Sequence, residues 1–354
     1  MTQAATSGLS AIDLFAGGGG TTLALERAGF RVPVAVEIDP AKAETLALNH
    51  PKTTVLGHKG TVGDVARLTG PAIMEAGQLE GAPALVVGCP PCQGYSTQGP
   101  RNPKDRRNRL FEEYLRLVSE IRPKAVAVEN VPGMATLSDG KFLSSLVSGL
   151  EGNGYRTVVW TLRASAFGVP QIRQRLFVIG VRTGPLPSSP RPSKAPTVWE
   201  AISDLPETAF RALRDRGEGI PYFAEPISSY AIRLRGRGKQ VTGCEVTRHR
   251  VELIERFGRL APGEADSLTR HRRLDPNGLA TTLTAGSRMR TACRPLHPYR
   301  NRVLTVREAA RLASFPDSYQ FPPEISEAWC QIGNAVPPLM AQAVFRSIRD
   351  SLEH

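Results

Sequence analysis

The chain has 354 residues, 41% of them hydrophobic and 22% charged, and carries a formal net charge of +12. That length buries a substantial core and suits two domains. Met1–Ser7 lacks the basic flank and apolar run of a signal peptide, and no later stretch is long enough to span a membrane, so a cytoplasmic, non-membrane protein is expected. Its five cysteines (89, 92, 244, 293 and 330) are odd in number and lack the spacing of a disulfide framework, which fits a reducing compartment. The basic excess is regional. Residues 184–300 hold 20 Lys/Arg against 12 Asp/Glu, which makes nucleic acid the leading partner, although a generally basic proteome would give the same total.

In chain order, Ser10–Phe15 reads as a strand, Thr21–Ala28 as a helix, Val32–Ile38 as a strand and Ala41–Asn49 as a helix. Ala84–Val87, Ala125–Glu129 and Arg175–Val181 read as further strands, with helices at Leu110–Ile121 and Phe142–Leu150 between them. This alternation predicts an α/β fold with a doubly wound, mostly parallel sheet. The rhythm stops at Thr183, where the proline-rich run from Gly184 to Pro192 reads as a linker. From that linker to about 300 the chain is irregular, basic and rich in Gly and Pro. Helical pattern resumes at Thr305–Ala313, then a Gly333–Pro338 turn leads to a last helix near Ala341–Leu352, so the tail is expected to return to the first domain.

Gly88-Cys89-Pro90-Pro91-Cys92-Gln93 ends an apolar run, and its two prolines stiffen the chain that holds the Cys92 thiol at a strand end. Such a thiol is a nucleophile or half of a redox pair. A Cys89–Cys92 redox pair needs a helix starting at the first cysteine, which Pro91, Gly94, Gly99, Pro100 and Pro103 oppose. Asp13-Leu14-Phe15-Ala16-Gly17-Gly18-Gly19-Gly20 lies between the first strand and the first helix, where glycines let backbone approach a ligand. A plain tight turn would look the same. The dinucleotide fingerprint fails, because the sixth position from Gly17 is Thr22. Glu37 near the end of the second strand suits a ribose diol, and Asp64 suits an adenine amino group; together these features fit an adenosyl cofactor without a pyrophosphate better than NAD.

Glu129-Asn130-Val131 ends another strand, so its carboxyl either projects at the carboxyl edge of the sheet or caps a helix. In Gln171-Ile172-Arg173-Gln174-Arg175, alternation puts Gln171, Arg173 and Arg175 on one face of an extended segment. Adjacent guanidiniums usually face an anion or a carbonyl-rich ligand, and a solvated edge strand is the other reading. Cys244…His249 and Cys293…His297 match no common zinc spacing, and no metal is expected.

Taken in order, these motifs resemble the cytosine-5 DNA methyltransferase family of the bacterial restriction-modification type. The resemblance covers most of 10–180 and 302–354 and includes the run from Arg302 to Asp317 and Gly333-Asn334-Ala335-Val336-Pro337-Pro338. It implies the S-adenosylmethionine-dependent methyltransferase type of sheet with a second, smaller irregular target-recognition domain. The expected divisions are 1–183 for catalysis and cofactor, 184–300 for target recognition, 301–326 as a connection and 327–354 returning to the first domain.

The resemblance implies S-adenosyl-L-methionine as cofactor, surrounded by Phe15, Ala16, Gly17, Gly18, Gly20, Glu37, Ile38, Asp64, Val65, Pro90, Leu110 and Asn334. Cys92 would be the nucleophile, Glu129 the acid at the ring, and Arg173 and Arg175 the contacts to the target base and its phosphate. The segment 93–108 resembles a mobile catalytic loop, with Arg106 a small departure in its acidic-and-arginine pattern, and Thr281-Thr282-Leu283-Thr284 resembles the family's threonine-leucine motif. The implied substrate is cytosine in double-stranded DNA, flipped out for reaction, with a cognate restriction endonuclease acting on the same site and a monomeric enzyme favoured. Rival readings are the same chemistry on tRNA, a catalytically silent DNA-binding regulator, and a thiol oxidoreductase.

Overall fold

The structure is a computed structural model and describes residues 8–91, 110–136, 140–208, 219–284 and 294–353. Seven strands form one sheet: β1 (Ser10–Leu14), β2 (Arg31–Val36), β3 (Thr54–Leu56), β4 (Leu85–Gly88), β5 (Ala125–Asn130), β6 (Arg156–Arg163) and β7 (Gln174–Val181). Their order is β3-β2-β1-β4-β5-β7-β6. β1 pairs in parallel with β2 and β4, β2 with β3, and β4 with β5, whereas β7 runs antiparallel to β5. Every residue of β4 and β5 is buried, as expected of unbroken apolar runs covered on both faces.

The covering helices are α1 (Gly20–Arg27), α2 (Pro40–Asn49), α3 (Gly70–Ala76), α4 (Leu110–Ile121) and α5 (Lys141–Gly152). On α4 the apolar residues Phe111, Tyr114, Leu117, Val118 and Ile121 recur at helical spacing and pack into the main core with Ile12, Val86 and Val126. Asp39 starts α2, its carboxylate accepting from the amides of Ala41 and Lys42 with Pro40 in the first turn.

The chain packs as two compact units. The first comprises Met1–Leu162, Gln174–Arg191 and Ala341–His354; the second comprises Arg163–Arg173 and Pro192–Met340. The second unit therefore includes 301–340 and a short insert ahead of β7, in addition to most of the region expected to recognise the target. Its elements are α6 (Val198–Ile202), β8 (Ile220–Pro221), α7 (Ser229–Arg235), β9 (Gln240–Val241), α8 (Val251–Gly258), α9 (Val306–Leu312) and α10 (Ile325–Asn334). The expected Gly333–Pro338 turn is shorter than predicted, because α10 runs through Asn334 and α11 (Pro338–Leu352) begins at Pro338. From Ala341 onward α11 packs in the first unit, where Gln342 and Arg349 donate to the carbonyls of Arg27 and Ala28 at the end of α1. Among the described residues no helix is long and apolar enough to cross a membrane.

Candidate active site

Strand register collects the expected groups of the first unit. Leu14 is level with Val36 and Gly88, and Gly88 with Val128. The residues one step beyond that row are Phe15, Glu37, Cys89 and Glu129, so four parallel strands deliver them to one carboxyl edge. Strand order reverses beside β1, which is where open α/β sheets leave a crevice. Because β7 is antiparallel, its beginning lies at the same edge: Glu129 pairs with Phe177 and Asn130 with Leu176. Arg175 thereby meets Glu129, with Nε 2.7 Å from Oε1.

Behind this pair lies an unusually acidic pocket. Asp13 is fully buried; Thr22 donates to its Oδ2 at 2.7 Å, and among the described residues its Oδ1 has no hydrogen-bond partner. Burial, aided by the charge of Glu37, raises its pKa to about 7. Cys89 keeps part of its surface exposed, but its sulfur lies 3.6 Å from the Thr21 hydroxyl and hydrogen-bonds the Glu129 side chain. Burial first, then the charges of Glu129 and Asp13, hold its thiol well above the ordinary value. Such a thiol is a neutral donor and opposes the redox-pair reading, which needs a lowered pKa. Beneath it, Tyr114 donates to the carbonyls of Val86 and Ala127, and a Cβ on Gly88 would lie 2.5 Å from its ring. Asn130, overlooked in the sequence, donates to the Pro90 carbonyl at 3.2 Å and so anchors the backbone leading to Cys92. Cys92 itself, the 93–108 segment and Cys293 lie outside the described residues.

Around Glu37 the geometry suits an adenosyl group. Its carboxylate accepts from the amides of Gly17 at 2.8 Å and Asp39 at 2.9 Å, and burial raises its pKa despite those bonds. Acceptor-only oxygens with lone pairs to spare match the hydroxyls of a ribose. Two glycines hold the strand end in place. A Cβ on Gly57 would lie 1.8 Å from the Glu37 carbonyl oxygen, and one on Gly63 would lie 2.2 Å from it. Beside them opens a pocket of about 400 Å³, lined by Ile38, Pro40, His58 and Thr61 among others. Ile38 is 65% exposed, an apolar surface available to cover a base. Asp64 caps the turn Val65–Arg67 through the Ala66 amide. Arg116 of α4 braces that turn by donating to the carbonyls of Val65 and Leu68, both at 2.9 Å, and pairs with Glu113 and Glu120. Phe15 sits in the left-handed region at φ 60, a strained conformation for a bulky residue. Ala16 and Val65 are buried, and Leu110 packs against the main core.

Burial alternates as predicted, with Gln171 and Arg173 buried, Ile172 and Gln174 exposed and Arg175 half-buried, although β7 starts only at Gln174 and Arg173 belongs to the second unit. Its guanidinium is buried, donating to the carbonyls of Leu283 and Gly333 at 2.7 Å and of Asn334 at 3.5 Å. It ties the threonine-leucine segment to the end of α10. Gln171 acts likewise, donating to Leu312 and accepting from the Leu283 amide. The Asn334 amide donates to the Cys330 sulfur at 3.5 Å.

On the second unit Arg233, Arg237, Lys239, Arg248, Arg250, Arg259, Arg270 and Arg272 are exposed. Among the described residues no group of three His, Cys, Asp or Glu could hold a metal ion. His297 accepts from the amides of Tyr299 and Arg300, and burial lowers its pKa to about 4.

Comparison with known proteins places this edge in context. The family model described as C-5 cytosine-specific DNA methylase matches residues 9–350. The chain is similar to the type II methyltransferase M.XorII of Xanthomonas oryzae pv. oryzae, 37% identical over 96% of this chain and 84% of that protein. It is also similar to the type II methyltransferase M.DdeI of Desulfomicrobium norvegicum, 32% identical over 96% of this chain and 88% of that protein. Among solved structures, a candidate DNA modification methyltransferase encoded within an E. coli prophage superposes with a TM-score of 0.85 at 31% identity, covering 98% of this chain and all of that one.

Proposed function

The chain belongs to the C-5 cytosine-specific DNA methylase family and is a DNA cytosine-5 methyltransferase, and from that premise we propose how its residues carry the reaction. Carbon 5 of cytosine is a weak nucleophile. Addition of the Cys92 thiolate to carbon 6 makes the ring an enamine whose carbon 5 attacks an electrophilic methyl group. Cysteine suits this role because its thiolate adds and also leaves readily. S-adenosyl-L-methionine, when bound, supplies that methyl group. Glu37, Asp64, the glycine loop and Ile38 hold and orient it.

Negative charge builds on the ring as sulfur adds. Glu129 donates a proton toward ring nitrogen 3, and Arg175, held by Glu129, donates to the carbonyl oxygen. After methylation a base takes the proton from carbon 5, the carbon–sulfur electron pair returns to sulfur, and the ring regains its double bond. A stacked duplex blocks all of these approaches, so the target cytosine is flipped out at a cost of a few kcal/mol. The exposed arginines and lysines of the second unit contact the phosphates of double-stranded DNA, and a cognate endonuclease would cut the unmethylated site.

The observation that carries the reading is the Glu129–Arg175 pair at the carboxyl edge, one strand from Gly88-Cys89-Pro90-Pro91. Methyl transfer from tritiated cofactor to duplex DNA and to tRNA tests it. Label is expected in duplex DNA as 5-methylcytosine, abolished by Cys92→Ser and slowed roughly 10²–10⁴-fold in a single turnover by Glu129→Gln. Label in tRNA alone, or full turnover by Cys92→Ser, would overturn it.

A further inference from the structure

The acidic pocket contains a group that the mechanism above leaves without a task. Cys89 follows β4 at the same level at which Glu129 lies in β5, and its side chain points toward that carboxyl. We propose that Cys89 is a positioning residue of the methyl-transfer site, its thiol bonded to Glu129 and its sulfur to the Thr21 hydroxyl, so that the Glu129 carboxyl keeps the orientation in which Arg175 also grips it. The inference rests on the proposed role of Glu129 as the acid.

Three observations support this assignment. The Thr21 oxygen lies 3.6 Å from the sulfur, within reach of a hydrogen bond to sulfur. With the thiol proton given to Glu129, the Thr21 hydroxyl donates to sulfur, and the order of donors is settled. Arg175 occupies Oε1 from the opposite strand, so the two neighbours of β5 in the sheet fix the carboxyl from both sides. Finally, the groups around Cys89 favour its neutral form. Asp13 projects from β1, Glu129 from β5 and Tyr114 from α4, while the nearby cation, Arg175, is engaged with Glu129. A neutral, inward-facing thiol remains a hydrogen-bond donor across the physiological range.

The role differs from that of a space-filling side chain in what it does to pH dependence. A donor to Glu129 favours the carboxylate, so it lowers the pKa of that acid. Removing the donor raises that pKa. The acid works when protonated, so the alkaline limb of the transfer rate moves to higher pH even as the plateau falls through misorientation.

Single-turnover methyl transfer to duplex DNA, followed against pH, tests the proposal in the full-length enzyme. Cys89→Ala is expected to lower the plateau roughly tenfold, the size of one well-placed hydrogen bond, and to move the alkaline limb upward. Cys89→Ser keeps a donor and should recover most of the rate and the limb, with cofactor affinity unchanged in both variants. Thr21→Val, which frees the sulfur from its second partner, should show a smaller change in the same direction and serves if Cys89→Ala fails to fold. Glu129→Gln run in parallel separates the two readings, and adding Cys89→Ala to it should cost nothing further. Should Glu129→Gln be impaired while Cys89→Ala and Thr21→Val keep wild-type rate and limb, the positioning role is wrong and the acid role stands. Should Glu129→Gln retain full rate, the acid role itself is wrong. A Cys89→Ser enzyme as slow as Cys89→Ala, with its limb unmoved, would reduce Cys89 to packing and also overturn the proposal.

Discussion

Arg173 and Arg175 stand two residues apart, yet they belong to different units and have different surroundings. In the first unit a sheet with apolar faces sets the register, and the expected site groups Glu37, Glu129 and Arg175 gather at one edge, where Arg175 meets Glu129. In the second unit the largest fully buried side chains are Trp329, Arg307 and Arg311, and among the described residues Phe257, Leu296 and Val303 form a small cluster beside α8. There, among buried apolar residues such as Phe315, Trp329 and Ile332, guanidiniums gather backbone carbonyls: Arg273 donates to those of Leu260, His297 and Phe257, among others. Arg311 forks onto Asp317 and Asp204 and also donates to the Ala201 carbonyl. A sheet supplies its backbone partners internally; irregular chain must find them in side chains. The same residue type is thus the proposed neighbour of the reacting base in one unit and scaffolding in the other.

The comparison breaks most visibly at Arg311. Arg311→Met removes the guanidinium that forks onto two buried carboxylates, leaving Asp317 only the Tyr222 hydroxyl and Asp204 the more distant Arg235 among the described partners, and should cost about 3–5 kcal/mol in urea unfolding followed by tryptophan fluorescence. A change below 1 kcal/mol would show that the network is not structural. Next in size, Arg175→Ala should slow single-turnover transfer about a hundredfold with little effect on unfolding. Arg173→Ala should do the reverse, losing about 2 kcal/mol of stability through stranded carbonyls. Equal behaviour of the two variants would erase the distinction drawn between them.

The smallest effect sharpens the picture of the acidic pocket. Asp13 ionises near pH 3.8 in the unfolded chain but near 7 when folded, so the folded state binds more protons in between. Its contribution to stability is therefore greatest below pH 3.8, falls as pH rises toward 7, and is level above. Asp13→Asn should accordingly gain about 2 kcal/mol relative to wild type between pH 5.5 and 7.5. An equal difference at both pH values would contradict the burial of an acid there.

Much of the first unit was legible in the sequence because its elements announce themselves. Leu110–Ile121 was bounded by its amphipathic spacing, and Asp39-Pro40 marks the start of α2. The edge strand β6 escaped notice although it carries the short apolar run Val158-Val159-Trp160; its residues are exposed or half-buried throughout, and β3 has only three residues. In the second unit, α6 to α8 are five to eight residues long and sit in a Gly/Pro-rich background. Caps marked two of them, the Thr197–Glu200 box of α6 and Ser228 at the start of α7. At the site, the strand-end positions of Phe15, Glu37 and Glu129 followed from the order of strands. The partners of Arg173 did not, since Leu283 and Gly333 lie 110 and 160 residues away in sequence. Nor did the contributions of Asn130, Arg116 and Cys89, which depend on neighbours 40, 51 and 40 residues away in sequence.

The central claim is that sulfur from Cys92, and not from the neighbouring Cys89, bonds to the pyrimidine. Mass spectrometry of the enzyme trapped on duplex DNA containing 5-fluorocytosine tests it directly. The account predicts a nucleotide adduct on the peptide carrying Cys92, retained when Cys89 is replaced by serine and lost when Cys92 is. An adduct on Cys89, or no adduct from an enzyme that turns over unmodified DNA, would contradict it.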